Sequence, residues 1–229
     1  MRSSTSATLL DRLRDGRDGL AWDEFFQRYW LLIYSYASRR GCSPHSAEEI
    51  VQDIMLKLFE RKDVFRYDPG RGRFRDWLAT VVRNRVAELR RLPAGRNRAR
   101  GGNNSGSAPE PADDAHAPDD LWETAFEQSL LWALLEVVRR EMHPRSYLAF
   151  EMTVLGEIPA NKVAAHLGIS RSTVFRTRKK VLSRLEQLGA SYRSGGQLPE
   201  RVKQALLSRP DPAIERSLAH RIETTMLSR

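Results

Sequence analysis

Two stretches of this chain carry residue types suited to holding nucleic acid. The first interleaves arginines with aromatic rings: Phe65-Arg66-Tyr67, Arg71, Arg73-Phe74-Arg75, Trp77, then Arg83-Asn84-Arg85. Guanidinium groups pair with phosphate oxygens, and aromatic faces stack on unpaired bases. The second stretch places Arg171, Arg176, Arg178, Lys179, Lys180 and Arg184 between Ser170 and Gly189. Charge follows the same division. Residues 61–100 carry +9, residues 101–127 carry −7 with no Lys or Arg, and residues 170–189 carry +5, against +9 for all 229 residues. A generic solvated surface mixes its charges. Two basic blocks either side of an acidic one fit two nucleic-acid contacts joined by a linker. Part of the first block also reads as plain core, because Phe74 and Trp77 fall on an apolar stripe. Trp77 is expected to be mostly buried with one edge exposed, and Tyr67 is the better candidate for a wet face.

Other chemistry finds little support. No Ser/His/Asp, Cys/His or paired-carboxylate arrangement has a recognisable context, and no Gly-rich loop matches a phosphate cradle. Cys42 and His45 form a lone C-x-x-H, whereas zinc takes about four ligands. No catalytic residue, metal or cofactor is expected. A single cysteine excludes an intrachain disulfide and fits a reducing cytoplasm. No apolar run approaches the roughly 20 residues that span a bilayer, and the first twenty residues lack the apolar core of a secretory signal. Glu48, Glu49, Gln52, Asp53 and Glu60 lie close together. Such acids ordinarily form a solvated face; they also suit docking to a basic partner.

The elements that must position these residues are helical. Trp22, Phe25, Phe26, Tyr29, Leu32, Ile33 and Tyr36 recur at helical spacing up to Gly41. Ser43-Pro44 reads as an N-cap with proline at the first helical position. Ile50, Val51, Ile54, Met55, Leu58 and Phe59 form the next stripe, and Phe74, Trp77, Leu78, Val81, Val82, Val86 and Leu89 a third. A shorter helix near Thr8–Arg14 precedes them. Residues 93–120, rich in Gly, Pro, Asn, Ser and Asp, read as a flexible linker that spans roughly 30 Å as a random coil. Helical signals resume at Leu121 and run to Leu188. Beyond Gly189 lie two short, poorly amphipathic helices. The expected fold is all-α: a helical bundle over 1–92, an acidic linker over 93–120, a second helical domain over 121–189, and a helical or disordered extension over 190–229.

Within the second domain, Asn161–Leu167, the turn Gly168-Ile169-Ser170 and Arg171–Leu188 form a helix-turn-helix. Ser170 caps the longer helix, whose buried stripe is Val174, Val181, Leu185 and Leu188. At about 100° per residue, Ser172, Arg176, Lys179 and Ser183 lie opposite, flanked by Phe175 and Lys180. Such a helix enters a major groove with its N-terminal half. Arg178 falls inside the apolar stripe, so its stem must snorkel outward.

Three segments resemble region 2 of bacterial sigma-70-type initiation factors of the small extracytoplasmic-function (ECF) group. They are WDEFFQRYWLLIYSYASRRG, AEEIVQDIMLKLFE and FRYDPGRGRFRDWLATVVRNRVAELRR. ANKVAAHLGISRSTVFRTRKKVLSRLEQL resembles region 4. Together these cover about 20–92 and 125–189. The resemblance implies a DNA-binding and polymerase-binding subunit with no enzymatic activity. By it, Glu49, Gln52 and Asp53 dock on core RNA polymerase. Tyr67, Arg71, Arg73, Arg75, Trp77, Arg83 and Asn84 melt and capture the −10 promoter element. Arg171, Ser172, Thr173, Phe175, Arg176, Lys179 and Lys180 read the −35 element. It also implies the polymerase, duplex and melted promoter DNA, and an anti-sigma factor or similar regulator as partners, in the cytoplasm and without membrane insertion. Two other readings compete. A helix-turn-helix regulator with an N-terminal helical sensing domain accounts for 121–189 but not for the basic aromatic block. A recombinase needs a nucleophile or metal-binding carboxylates, and neither is found.

Overall fold

The computed structural model describes residues 7–14, 18–60, 73–91, 119–156, 158–189 and 197–228. The expected melting loop, with Tyr67 and Arg71, lies outside the described residues, as does 93–118 of the expected linker. The described residues form helices and contain no strand, so the fold is all-α. In chain order the helices are α1 (Ala7–Arg12), α2 (Gly19–Arg39), α3 (Pro44–Glu60), α4 (Phe74–Arg91), α5 (Asp120–Glu141), α6 (Pro144–Leu155), α7 (Ala160–Leu167), α8 (Arg171–Gln187), α9 (Leu198–Leu207) and α10 (Pro212–Leu227). Residues 2–126 and 211–229 make one compact unit, and residues 127–210 another.

In the first unit, α2, α3 and α4 bury the three stripes seen in the sequence, with Phe25, Ile33, Ile50, Val51, Ile54, Leu78 and Val82 at most 1% exposed. Phe25 packs against Tyr29 at 4.8 Å and against Phe74 at 5.8 Å, and Trp22 meets Phe59 at 5.3 Å. Each such ring pair adds about 0.5–1.5 kcal/mol beyond simple burial. The caps are local chemistry. Gly41 takes φ +81 so that Cys42 N–H reaches Ala37 O at 3.1 Å, closing α2. Ser43 Oγ accepts from Ser46 N–H at the start of α3, just before Pro44.

Two further pieces complete this unit. Asp119 caps α5 through the Trp122 amide at 2.9 Å and accepts from Tyr36 Oη at 3.0 Å, with Arg40 bonded to the same carboxylate. Trp122 is fully buried, edge-on to Tyr36 at 5.2 Å. Residues 119–126, near the end of the acidic stretch, therefore pack in the first unit. Helix α10 also packs here, burying Leu218 and Ile222 in the same core.

The second unit contains the helix-turn-helix. Ala149, Val163, Ala164 and Val174 form a small core with Met152, Ile158, Leu167 and Ile169 at its edge. Gly168 turns the chain with φ +63, and Ile169 N–H bonds to Ala164 O at 3.0 Å. Helix α9 belongs to this unit. It buries Leu198, Val202, Ala205 and Leu206, and Ala205 O accepts from Trp132 Nε1 at 2.5 Å. The two tail helices thus pack on different units: α9 is clearly amphipathic, a correction to its reading, whereas α10 buries only Leu218 and Ile222 of its sixteen residues. The α9 stripe is under three turns long, and the apolar positions of α10 are sparse among charged neighbours.

Candidate nucleic-acid interface

Helix α8 presents a basic face because its apolar residues are spent on the other side. Val174, Val181 and Leu185 are at most 2% exposed and Thr177 is 6% exposed. Ser172, Arg176, Lys179, Lys180 and Ser183 are all exposed. Ser170 fixes the start of the helix: its Oγ accepts from Thr173 N–H at 3.1 Å and lies 2.8 Å from both Ser172 Oγ and Thr173 Oγ1. Thr173 is therefore partly occupied by the cap, and it also lies 3.5 Å from Arg176 Nη2. Phe175 is 52% exposed, with the Arg171 guanidinium 5.5 Å from its ring centre. At the far end Arg184 grips Glu141 of α5 with bonds of 2.7 and 2.8 Å, which holds the basic helix against its support.

Arg178 does not sit in the buried stripe. It is exposed and lines a cleft of about 410 Å³ with Phe150, Val174, Phe175, Pro199 and Lys203, beside α9. Thr177 fills the stripe position instead. Hydropathy alone passes over a threonine, although its methyl packs and its hydroxyl is small. The face centred on Arg176 is exposed to solvent.

On α4 the expected DNA contacts divide. Arg73, just before the helix, and Asn84 are exposed, and Trp77 is half-buried against the core. Trp77 and Asn84 are seven residues apart and share a face. Arg83 flanks that face, half-buried, with Nη2 3.4 Å from Thr80 Oγ1. Arg75 turns the other way, roughly 160° from Trp77 at helical spacing. Its side chain is only 13% exposed, it donates to Glu123 at 2.8 Å, and its guanidinium lies 4.2 Å over the Phe126 ring. The start of α5 occupies it, which the sequence had no means of revealing across 48 residues.

The acidic strip on α3 is intact but not bare. Glu49 and Asp53 are 30% and 36% exposed, and Gln52 is half-buried. His45 Nε2 lies 3.2 Å from Glu49, and Asp53 accepts a hydrogen bond from Arg85 of α4. Burial alone depresses the Arg85 guanidinium, but the charges of Asp53 and Glu88 outweigh it and its pKa ends above the usual arginine value. Glu48 accepts from Arg221 of α10 at 2.6 Å. No group of three or more His, Cys, Asp or Glu among the described residues is placed to hold a metal ion. No helix among them is long and apolar enough to cross a membrane.

Comparison with known proteins bears on the same segments. The family profile Sigma-70 region 2 matches residues 25–92, which contain α3, α4 and α2 from Phe25 onward. The chain is 26% identical over 188 residues to the ECF RNA polymerase sigma factor RpoE of Cereibacter sphaeroides, covering 78% of this chain and 92% of that protein. It is 25% identical over 170 residues to the ECF RNA polymerase sigma factor SigE of Mycolicibacterium smegmatis, covering 74% of this chain and 62% of that one. No solved structure matches the chain.

Proposed function

We infer that this chain, which belongs to the extracytoplasmic-function group of the sigma-70 family, binds core RNA polymerase and directs promoter-specific initiation of transcription. Sigma factors of this kind are initiation subunits and not enzymes. In this reading Glu49, Gln52 and Asp53 dock on the polymerase. Tyr67, Arg71, Arg73, Trp77, Arg83 and Asn84 open and hold the −10 element. The outer face of α8, with Arg171, Ser172, Phe175, Arg176, Lys179 and Lys180, reads the −35 element. Thr173 supports that face through the cap. Arg75 drops out of the DNA set because Glu123 and Phe126 hold it inside. The cytoplasm, where polymerase works, is the proposed location, and an anti-sigma type of regulator is a proposed partner.

The observation that carries the reading is the region 2 match falling on α2–α4, in a chain that also holds an exposed basic helix-turn-helix. A regulator with a sensing domain explains only the second of these. Run-off transcription with purified core polymerase on a library of genomic promoters tests it. The full chain is expected to add discrete starts that core polymerase alone does not make. No binding to core polymerase and no new starts would overturn the proposal.

A further inference from the structure

We propose that helix α10 is a cover built into the chain over the docking helix α3, and that core polymerase engages α3 only as α10 lifts away. The proposal rests on the docking assignment of Glu49, Gln52 and Asp53 made above.

Helix α10 lies on α3 within one compact unit. Leu218 is fully buried and Ile222 is 5% exposed, both in the core that also contains Val51 and Met55 of α3. Ile214, Ala219 and Met226 pack at its edge. One polar contact sets its position: Arg221 donates to Glu48 at 2.6 Å, with the two side chains 35% and 20% exposed. Glu48 and Gln52 are one turn apart on the same side of α3, so the helix that holds Glu48 runs beside the Gln52 edge of the docking strip.

The geometry makes the two occupants exclusive along that edge. Packed helices sit about 8–10 Å apart, and a helix that packs on a partner uses an apolar stripe roughly 100° or more wide. Helices α2, α4 and α10 each pack against α3. An incoming helical partner that takes the Gln52 edge meets α10 there. Two acids of the strip already hold arginines, Glu48 with Arg221 and Asp53 with Arg85, and Glu49 lies 3.2 Å from His45. A basic partner must exchange those contacts for its own. Moving α10 frees Glu48 and uncovers the Gln52 edge at the cost of withdrawing Leu218 and Ile222 from the core, and it breaks no contact among α2, α3 and α4; α10 is joined to α9 through Ser208-Arg209-Pro210-Asp211.

The test uses the full chain with Cys42→Ser. Glu48→Cys and Arg221→Cys are joined by a reducible bis-maleimide, which locks α10 on α3. Arg221→Glu, in a separate chain, faces Glu48 with a like charge and loosens it. Affinity for purified core polymerase is read by fluorescence anisotropy, with circular dichroism confirming the helical fold of each variant. The locked chain is expected to bind at least about tenfold more weakly, and reduction is expected to restore binding. Arg221→Glu is expected to bind up to about tenfold more tightly, since apparent affinity scales with the fraction of chains in the competent state. Equal affinity of locked and reduced chains, or no gain with Arg221→Glu, overturns the cover while docking through Asp53 stands. If no form of the chain binds core polymerase, the docking assignment fails and the cover falls with it.

Discussion

Exchanging the charges of Asp53 and Arg85 separates the docking role proposed for this carboxylate from its bond between α3 and α4. Asp53 on α3 is bonded to Arg85 on α4, and the other arm of Arg85 holds Glu88 at 2.9 Å. The side chains of Asp53 and Arg85 are 36% and 20% exposed. Two unit charges about 4 Å apart attract by roughly 4 kcal/mol at an effective dielectric constant of 20. Solvent screening and the desolvation of Arg85 cancel most of that, leaving about 1–2 kcal/mol for the pair. Asp53→Lys alone loses this and sets two cations together, an expected cost of about 2–3 kcal/mol. In a chain of this size each kcal/mol lowers the melting temperature by about 2–4 °C. A fall in polymerase binding by that variant therefore mixes docking with instability. Asp53→Arg with Arg85→Asp restores the pair and is expected to melt within about 1 kcal/mol of the parent, a coupling that a double-mutant cycle measures. Docking does not recover, because the partner still meets a cation at position 53. Affinity for core polymerase is expected to stay at least about tenfold down. Thermal melts by circular dichroism and anisotropy titrations read the two quantities independently. If the exchange restores melting and affinity together, Asp53 serves to hold α3 to α4 and the docking argument is wrong. Asp53→Asn with undiminished affinity leads to the same conclusion.

The remaining expectations concern other parts of the chain. Arg176→Ala should relax base preference at one or two positions of the distant promoter element, by about 1–3 kcal/mol per base pair. Lys179→Ala should weaken all promoters alike and reduce the salt slope by about one. Arg178→Ala, beside the cleft under α9, should change neither; in vitro promoter selection in which Arg178 sets the base preference would rotate the reading face. Arg75→Ala strands Glu123 and uncovers Phe126, so it should cost about 1–3 kcal/mol of stability. Permanganate footprinting below its melting temperature should still show normal strand opening. In the second unit Arg139, with Arg140 behind it, holds Glu136 down from 4.5 to about 2. A depressed carboxylate stabilises the fold above 4.5, and that stability is lost as pH falls from there toward 2. For a side chain 25% exposed, screening leaves about 1 kcal/mol of it, and Glu136→Gln should flatten the acid limb of melting temperature against pH between about 5 and 2.5.

What the chain reveals before folding is local, and what it conceals is remote. The stripes of α2, α3 and α4 are long enough to outvote exceptions. The caps at Gly41, Ser43, Gly168 and Ser170 involve partners within five residues, so residue type suffices. On α8 the stripe is read correctly at Val174, Val181 and Leu185, but threonine, not a hydrophobe, takes the buried place at 177, Leu188 is only half-buried at the C-cap, and Arg178 lines the cleft. In the tail, Leu198, Val202 and Ala205 on α9, and Ile214, Leu218 and Ile222 on α10, are spaced as a helix face should be. A stripe shows that a helix packs, never on which neighbour. Charges are harder still. Their types were plain in both basic blocks and in the acidic strip, but their state depends on who already holds them. Arg75 is taken by a glutamate 48 residues on, Asp53 by an arginine 32 residues on, and Glu48 by an arginine 173 residues on. Each of those contacts converts a residue offered to solvent into one that must be released, or never is. Free charge on α8 and engaged charge on α3 thus follow from the same composition. Under the proposed function a promoter would meet Arg176 and Lys179 directly, whereas under the proposed cover a polymerase would have to displace α10 to reach α3.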